Sequence, residues 1–369
     1  MKSVPFFNYP DVYKKFENSF QSILNKVGNN GAFIMQGELA SFEKKIAEFS
    51  NCNYALGVGN ATDALEMLLS VSEVGSGDEV IISSHTMIAT ASAVNTVGAK
   101  SIPVECDSSH LIDPSSILDN ITSRTKCIMP TQLNGRVSDM DEICKIAYDN
   151  DLIIIEDSAQ ALGAKYNGKN AGTFGVGGCI SFYPAKVLGC FGDGGMILCN
   201  EKSIYDKLVM MRDHGRDPND GDVKLWGRNS RLDNLQAAFL MHQFKFYEDV
   251  IRRRREIATI YNNNLAGFDQ IQLPPPPTET SKNFDIFQNY EVRFDKRDEL
   301  KAYLYSKGIG SLIQWGGKGI HQFSSLGYKA SLPFSEKVFS KMLLLPINMS
   351  VSNDDIDYVC EKILSFYRS

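Results

Sequence analysis

Short apolar runs alternate with helical segments between about residues 54 and 200, and this alternation restricts the folds open to the chain. The apolar runs are YALGVG, DEVIIS, SIPVE, KCIMPT, LIIIED and GMILCN, and segments such as TDALEMLLSV and MDEICKIAYDN between them have helical periodicity. Buried β-rich runs separated by single helices are typical of βαβ units and of a sheet that is covered on both faces. The sequence therefore predicts an α/β fold with a largely parallel main sheet.

A proline run marks the expected end of the main domain. A helical, arginine-rich stretch extends from Arg231 to about Leu265 and is followed by LPPPP at 273–277. Consecutive prolines lack amide donors, so neither a helix nor a central strand can continue through them. The 369 residues are enough for two unequal domains. We predict a large domain over 1–265, with an N-terminal arm over 1–30, and a small α+β domain over 266–369.

The bulk composition excludes several classes of partner. The net charge of −6 argues against nucleic acid or an anionic membrane as the main partner. The sequence shows no signal peptide and no apolar run of membrane-spanning length, so we expect a cytoplasmic protein. The eight cysteines are scattered without a spacing that suits zinc. We therefore expect reduced thiols and no metal site.

Ligands of parallel sheets collect where strands end, and Asp157 stands at such a point. It directly follows the run LIII in EDSAQALGA (156–164). A carboxylate there can keep a pyridine nitrogen protonated and so make the ring a better electron sink. The alternative is an ordinary N-cap for the segment that follows.

Two further motifs carry reactive or anion-binding groups. Lys186 in SFYPAKVLGCFGDGG (181–195) stands among apolar residues, and partial burial makes an amine a better nucleophile toward an aldehyde. A solvated surface lysine is the alternative. In GNATDALEMLL (59–69), Asn60 and Thr62 stand at an expected helix start, where backbone amides bind phosphate. The same pattern would serve as a plain helix cap.

In this order, a phosphate cup, an acid and a lysine resemble the fold-type I pyridoxal phosphate (PLP) enzymes. The chain is specifically similar to the sugar-nucleotide aminotransferases of the DegT/StrS family. The resemblance implies a mostly parallel seven-stranded sheet flanked by helices and a smaller C-terminal α+β domain. The segments that carry it, besides the three motifs, are GAFIMQGELASFEKKIAEF (31–49), SSHTMIATASAV (83–94), WGRNSRLDNLQAA (226–238) and LLLPINMSV (343–351).

The resemblance also implies residue roles. Lys186 would carry PLP as a Schiff base, and Asp157 would pair with its pyridine nitrogen. The other implied cofactor contacts are Ala61, Thr62, Met87, Gln160, Ser181 and Asn229. Among these, Gln160 would lie near the 3-hydroxyl of the cofactor, and Asn229 would reach the phosphate in a partner subunit, which implies a homodimer with shared active sites. Met87 stands where relatives commonly have an aromatic ring; its thioether would stack on the cofactor or simply pack.

The implied substrate contacts are Gln132, Trp315, Lys318 and His321. For Trp315 and Lys318, a core tryptophan and a surface lysine are equal alternatives. His321 is included as a substrate contact only because it lies in the same segment as Trp315 and Lys318.

The implied activity is transfer of an amino group from L-glutamate to a nucleotide-linked, dTDP-bound 4-keto- or 3-keto-6-deoxyhexose, with pyridoxamine phosphate as the intermediate form of the cofactor. The product would enter an O-antigen, another surface glycan or a glycosylated metabolite. The alternatives are an aminocyclitol aminotransferase and a PLP-binding regulator without turnover. Related dehydratases have histidine in place of the lysine, so Lys186 counts against that reaction.

Overall fold

The computed structural model describes residues 2–278 and 282–368. In chain order, the strands are β1 Tyr54–Val58, β2 Glu79–Ser83, β3 Lys100–Val104, β4 Thr125–Met129, β5 Ile153–Asp157, β6 Lys165–Tyr166, β7 Lys169–Asn170, β8 Gly177–Ser181, β9 Gly195–Cys199, β10 Ile271–Gln272, β11 Asn283–Phe284, β12 Tyr290–Phe294 and β13 Met342–Leu345. The α-helices are α1 Tyr9–Asn30, α2 Gly37–Ser50, α3 Ala61–Val71, α4 Ile88–Thr96, α5 Pro114–Leu118, α6 Met140–Asp149, α7 Lys202–Arg212, α8 Asn234–Phe244, α9 Tyr247–Leu265, α10 Arg297–Ser306, α11 Pro333–Lys341 and α12 Asn353–Arg368.

Seven strands form the main sheet, in the order β1-β9-β8-β5-β4-β2-β3. Strands β2 to β5 and β8 pair in parallel, whereas β9 runs antiparallel to both of its neighbours. Strands β2, β8 and β9 are buried along their whole length, as expected of a sheet covered on both faces. The predicted fold, a mostly parallel seven-stranded sheet flanked by helices, is confirmed.

The reversal of β9 follows from the connection that precedes it. The segment between β8 and β9 contains no helix, and all of its residues are described. A parallel neighbour needs a crossover of a dozen or more residues, usually a helix, whereas an antiparallel one can follow a simple return of the chain. The loop that makes this return contains Lys186, so the topology places the lysine at the carboxyl end of β8.

A second apolar core lies in the C-terminal part. It joins the antiparallel sheet β10-β12-β13 to α10 and α12. Helix α9 ends at Leu265, close to the predicted boundary, but Ile257, Tyr261 and Leu265 of that helix pack in this second core. Val4 also belongs to it. The predicted division at 265/266 stays a prediction, since α9 contributes to the second core.

The proline segment and the cysteines match the sequence expectations. Residues 273–277 form no regular structure, and all eight cysteines are free thiols. Within the two described ranges, no helix combines the length and the apolar character needed to cross a bilayer.

Candidate active site

The carboxyl ends of the central strands border a cavity of about 430 Å³. Residues from widely separated parts of the sequence share this space. Those among the predicted site residues that line it are Ala61, Thr62, Met87, Asp157, Gln160, Ser181, Lys186 and Trp315. The structure thus brings together the phosphate cup, the acid and the lysine, which the sequence placed on separate motifs.

The phosphate-cup motif forms the first turn of α3. Asn60 is the N-cap, because its Oδ1 accepts the backbone N–H of Asp63 at 2.8 Å. Ala61 and Thr62 line the cavity, and the amides of these first helical positions have no partner in the helix ladder. Gly195 allows the close approach of this turn to β9, since a side-chain carbon there would collide with the backbone of Asn60. The motif is therefore both a helix cap and a potential anion site.

Asp157 is the last residue of β5 and is buried. Its Oδ2 accepts the hydroxyl of Thr90 at 2.6 Å, and its Oδ1 accepts the backbone N–H of Ala159 at 3.2 Å. The thiol of Cys179 lies 3.5 Å from Oδ1. Residues 158–164 contain no helix, so Asp157 closes a local turn and caps no helix. Its carboxylate is held from three sides at the wall of the cavity.

Lys186 lies in the loop between β8 and β9, partly exposed to the cavity. Its backbone N–H donates to the carbonyl of Tyr183 at 2.8 Å and thereby fixes the loop. Burial lowers the pKa of the Lys186 amine, although the nearby carboxylate of Asp157 acts in the opposite direction. A lowered pKa leaves a larger fraction of the amine deprotonated at neutral pH, and the deprotonated amine is the nucleophile.

The remaining predicted cofactor contacts surround this centre. Gln160 accepts the backbone N–H of Asn134 through Oε1 at 2.8 Å. Ser181 ends β8, and Met87 precedes α4 with 49% of its surface exposed. Asn229 is exposed and lies outside the cavity of its own chain, so its role in a partner subunit stays a prediction.

The predicted substrate contacts separate into two groups. Trp315 lines the cavity and meets the ring of His85 edge-on, with centroids 5.8 Å apart. Lys318 is exposed but does not line the cavity. His321 is buried away from it, with Nδ1 2.5 Å from the hydroxyl of Ser84.

Gln132 has a structural position that does not suit a substrate contact. Its side chain is fully buried and lies outside the cavity lining. Nε2 donates to Oε2 of Glu156 at 2.8 Å, and Oε1 accepts the backbone N–H of Ser138 at 2.7 Å. Because both ends of the amide are occupied, Gln132 positions the buried Glu156 and offers nothing to a ligand.

Sequence reasoning missed several residues of the lining. Tyr183 is a half-exposed ring three positions before Lys186, and the motif SFYPAK could have indicated it. The other missed residues have no individual signal, although three of them lie in the quoted segments 83–94, 181–195 and 343–351: Phe7, Thr86, Thr131, Asp193, Gln288, Asn289, Leu312, Gln314 and Leu344. Their arrival depends on tertiary packing, which the local pattern does not encode.

A buried polar cluster lies behind Trp315. Glu291 Oε1 is 3.0 Å from Nδ1 of His110 and 3.5 Å from Nε2 of His85. Burial raises the pKa of Glu291, but the two neighbouring histidines outweigh it and lower that pKa to about 2. Burial lowers the pKa of His85 to about 4. Glu291 also accepts Nδ2 of Asn134 at 2.6 Å, which links the cluster to Gln160 at the cavity.

The chain is similar to known proteins along its whole length. It matches the family described as the DegT/DnrJ/EryC1/StrS aminotransferase family over residues 14–364. A pleiotropic regulatory protein of Geobacillus stearothermophilus is 37% identical, over 99% of both chains. The dTDP-3-amino-3,4,6-trideoxy-alpha-D-glucose transaminase of Streptomyces venezuelae is 35% identical, over 93% of this chain and 91% of the other.

A solved structure agrees with the sequence similarity. The crystal structure of S. venezuelae DesV in complex with a ketimine intermediate superposes with a TM-score of 0.95 and 32% identity, covering all of both chains. A cavity with this acid, lysine and helix terminus, on this fold, is that of a PLP-dependent aminotransferase. The chain belongs to the DegT/DnrJ/EryC1/StrS aminotransferase family, which confirms the predicted family and cofactor.

Proposed function

We propose that this chain binds PLP through Lys186 and transfers an amino group from L-glutamate to a nucleotide-linked keto sugar. The observation that carries the proposal is the meeting of Lys186, Asp157 and the first turn of α3 on one cavity. An amine of lowered pKa, a buried carboxylate and free helix amides are the groups that an aldehyde, a pyridine nitrogen and a phosphate require.

The residues present fit the cofactor. Ala61 and Thr62 would hold the phosphate, with Ser181 as a further donor, and Asp157 would accept the pyridine N–H. When bound, PLP supplies an electron sink for a carbanion next to the reacting nitrogen. The cavity of about 430 Å³ leaves room for a substrate beside these groups, within the usual range for small-molecule sites.

Lys186 has two tasks in this proposal. Before the amino donor binds, the Lys186 amine holds the cofactor. The freed Nζ then takes a proton from the α-carbon of the amino donor and delivers it to the cofactor carbon that is bonded to the transferred nitrogen. The lowered pKa suits both tasks, because a neutral amine is needed for attack and for proton abstraction. The hydroxyl of Thr90 and the backbone N–H of Ala159 donate to the carboxylate of Asp157 and fix its orientation at the cavity.

The acceptor is a nucleotide-linked 4-keto- or 3-keto-6-deoxyhexose, and dTDP is the nucleotide we expect. The name of the S. venezuelae relative supports a dTDP-linked amino sugar, and Trp315 offers an aromatic face at the cavity. A product for an O-antigen, another surface glycan or a glycosylated metabolite belongs to the same proposal. We also propose a homodimer in which Asn229 completes the partner's site, and we propose a cytoplasmic location.

The test is turnover of a panel of nucleotide-linked keto sugars with L-glutamate, with the aminated carbon of the product located by NMR. The panel varies dTDP, UDP and GDP and the position of the keto group, and it includes a keto-cyclitol. We expect amination of at least one dTDP-linked sugar. Amination of the cyclitol alone would replace the acceptor class and keep the aminotransferase.

A regulator without turnover is the second candidate, because a relative at 37% identity has a regulatory name. The two candidates differ in how the absorbance of the bound cofactor responds. A transaminase loses that absorbance on addition of glutamate and regains it with a keto sugar. Absorbance that no amino donor changes would favour the regulator.

A further inference from the structure

Three buried threonine hydroxyls form a continuous hydrogen-bonded chain that ends on Asp157. Thr131 Oγ1 donates to Thr86 Oγ1 at 2.8 Å, and the hydroxyls of Thr86 and Thr90 are 2.7 Å apart. Thr90 Oγ1 donates to Asp157 Oδ2 at 2.6 Å. Each of the three side chains is at most 5% exposed. Water therefore competes little with these bonds.

The chemistry of the groups sets the direction of the chain. A carboxylate only accepts hydrogen bonds, and each hydroxyl has a single proton to donate. The Thr90 hydroxyl donates its one hydrogen bond to Asp157, so its oxygen must accept from Thr86. The Thr86 oxygen in turn accepts from Thr131. All three dipoles point toward the carboxylate. Hydrogen bonds arranged in this way polarise and strengthen one another, and a low local dielectric increases the effect.

The sheet topology brings these residues together. Thr131 follows β4, Thr86 follows β2, and Asp157 ends β5, and these three strands are neighbours in the sheet. Thr90 lies in the first turn of α4. Thr86 and Thr131 also line the cavity, whereas Thr90 stands behind Asp157. Two separate segments of the chain, 86–90 and the turn after β4, thus supply hydroxyls that are ordered toward the carboxylate at the end of β5.

We propose that Thr90, supported by Thr86 and Thr131, is a positioning residue that orients Asp157 and stabilises its ionised form. The carboxylate then leaves the shared proton on the pyridine nitrogen of the cofactor, and the positive ring withdraws electrons more strongly. This inference rests on the proposed function, since it assigns Asp157 to the ring of PLP. Thr90 does not line the cavity, so in this role it acts through Asp157.

The expected signature is a change in the pH titration of the bound cofactor. Without the Thr90 hydroxyl, Asp157 holds the shared proton more strongly and the ring loses positive charge. The nitrogen that joins Lys186 to the cofactor then keeps its own proton to higher pH. A hydrogen bond to a charged group predicts a rise of about one pH unit in the midpoint and a fall of about tenfold in kcat, with KM for the keto sugar little changed.

The experiment titrates the absorbance of the PLP-loaded protein against pH in four variants and the wild type. Thr90→Val removes the last hydroxyl at nearly constant volume, and Thr90→Ser retains it. Thr131→Val removes the first hydroxyl and is expected to give a smaller shift in the same direction. Thr173→Val is the matched control, because Thr173 is also buried and hydrogen-bonded, to the carbonyl of Asn170 at 2.7 Å, but does not line the cavity.

We expect raised midpoints in Thr90→Val and Thr131→Val and wild-type midpoints in Thr90→Ser and Thr173→Val. If Thr90→Val does not fold, the shift in Thr131→Val decides. Midpoints in the two chain variants equal to that of Thr173→Val would overturn the threonine chain while leaving the aminotransferase intact. A wild-type protein that shows no cofactor absorbance would overturn the proposed function and this inference with it.

Discussion

Two walls of the active-site cavity differ in how they are built. The strand-end wall comes from the turns that follow the central parallel strands, and it consists of Ala61, Thr62, Met87, Asp157, Ser181 and Lys186. The C-terminal wall comes from loops and strands after residue 285, and it consists of Gln288, Asn289, Leu312, Gln314, Trp315 and Leu344. The first wall has the reactive groups and the anion-binding amides. The second has apolar surface and neutral amides.

The difference indicates that the two walls have different roles. Parallel strands end at one edge of the sheet in any fold of this type, so the groups that follow them converge on one place where ligands bind. The C-terminal wall includes residues with unusual backbone, such as Trp315 at φ 47°, and a buried amide oxygen of Gln314 that no hydrogen bond from the described part of the chain satisfies. An unsatisfied buried acceptor is costly unless a ligand completes it. We therefore assign cofactor chemistry to the first wall and acceptor recognition to the second.

Replacement of the lysine tests the first wall most severely. We expect Lys186→Ala to lose the absorbance of the bound cofactor and to reduce turnover by roughly a thousandfold or more, because both covalent attachment and proton transfer depend on Nζ. Its melting temperature should stay near that of the wild-type apoprotein. Lys202→Ala, at an exposed position in α7, is the matched control and should keep full turnover. Transamination retained in Lys186→Ala would remove the assignment.

Two adjacent carboxylates of β5 are expected to affect different quantities: Asp157 affects turnover, and Glu156 affects stability. Asp157→Asn keeps the shape of the side chain but removes the charge, and we expect turnover to fall on the order of a hundredfold. Glu156 accepts the backbone N–H groups of Gly172 and Phe174 at 2.9 and 2.6 Å on the side away from the cavity. Glu156→Gln should therefore reduce the free energy of unfolding by about 1–3 kcal/mol and leave turnover close to normal. Steady-state kinetics and denaturant unfolding of both variants measure the contrast; equal losses of turnover would contradict it.

A substitution at Trp315 tests the second wall. Because its φ is positive, asparagine is, after glycine, the substitution that the backbone tolerates best. We expect Trp315→Asn to raise KM for the keto sugar about tenfold, the value of one lost aromatic contact, and to leave cofactor absorbance unchanged. Tyr305→Ala removes an exposed aromatic ring of the C-terminal part and should change neither quantity. If the absorbance changes and KM does not, the division between the walls is wrong.

The strand-end wall could be predicted from sequence because its residues belong to local patterns. Asp157 directly follows an apolar run, and the α3 motif combines a glycine with a capping residue. Strand β8 was missed because it begins with Gly177 and Gly178, which weaken a strand pattern. Gly178 is required there since a side-chain carbon would collide with the backbone of Gly172. That reason lies in tertiary packing and leaves no signal in the strand itself.

The C-terminal wall was predicted at a single position, Trp315, and only through family resemblance. Its other members are glutamine, asparagine and leucine residues without periodic or motif signals. His321, expected at the substrate, bonds to Ser84 instead, because the segment that contains it packs on the turn after β2, where Ile320 N–H also donates to the Ser84 carbonyl. Such positions depend on how the C-terminal part docks, which no local rule determines.

Gln132 tests whether a residue outside both walls affects substrate binding, because the resemblance implied a substrate contact and the structure shows a buried bridge between Glu156 and Ser138. We expect Gln132→Ala to lower the free energy of unfolding by about 1–3 kcal/mol, since Glu156 and the Ser138 amide each lose a partner. KM for the keto sugar should stay unchanged. Denaturant unfolding and initial-rate kinetics measure both quantities. A raised KM at unaltered stability would restore the substrate role.

The smallest effect that we expect at neutral pH concerns the buried cluster behind the second wall. The pKa of His85 is about 4 in the folded protein and near 6.5 in an unfolded chain. Between these values the unfolded chain binds a proton that the folded protein does not, so the free energy of unfolding falls as pH falls through this window. One proton corresponds to a slope of at most about 1.4 kcal/mol per pH unit.

Denaturant unfolding between pH 7 and 4 measures this slope. That range covers the interval between the folded pKa of about 4 and the usual histidine value. His85→Gln should flatten the curve, because the amide does not titrate and can still donate to Glu291. His214→Asn is the control: His214 is exposed and has a positive φ that asparagine adopts, so its curve should follow the wild type. A curve for His85→Gln as steep as the wild type would mean that other groups set the acid stability. His85 would then contribute nothing measurable to the acid stability of the region behind the second wall.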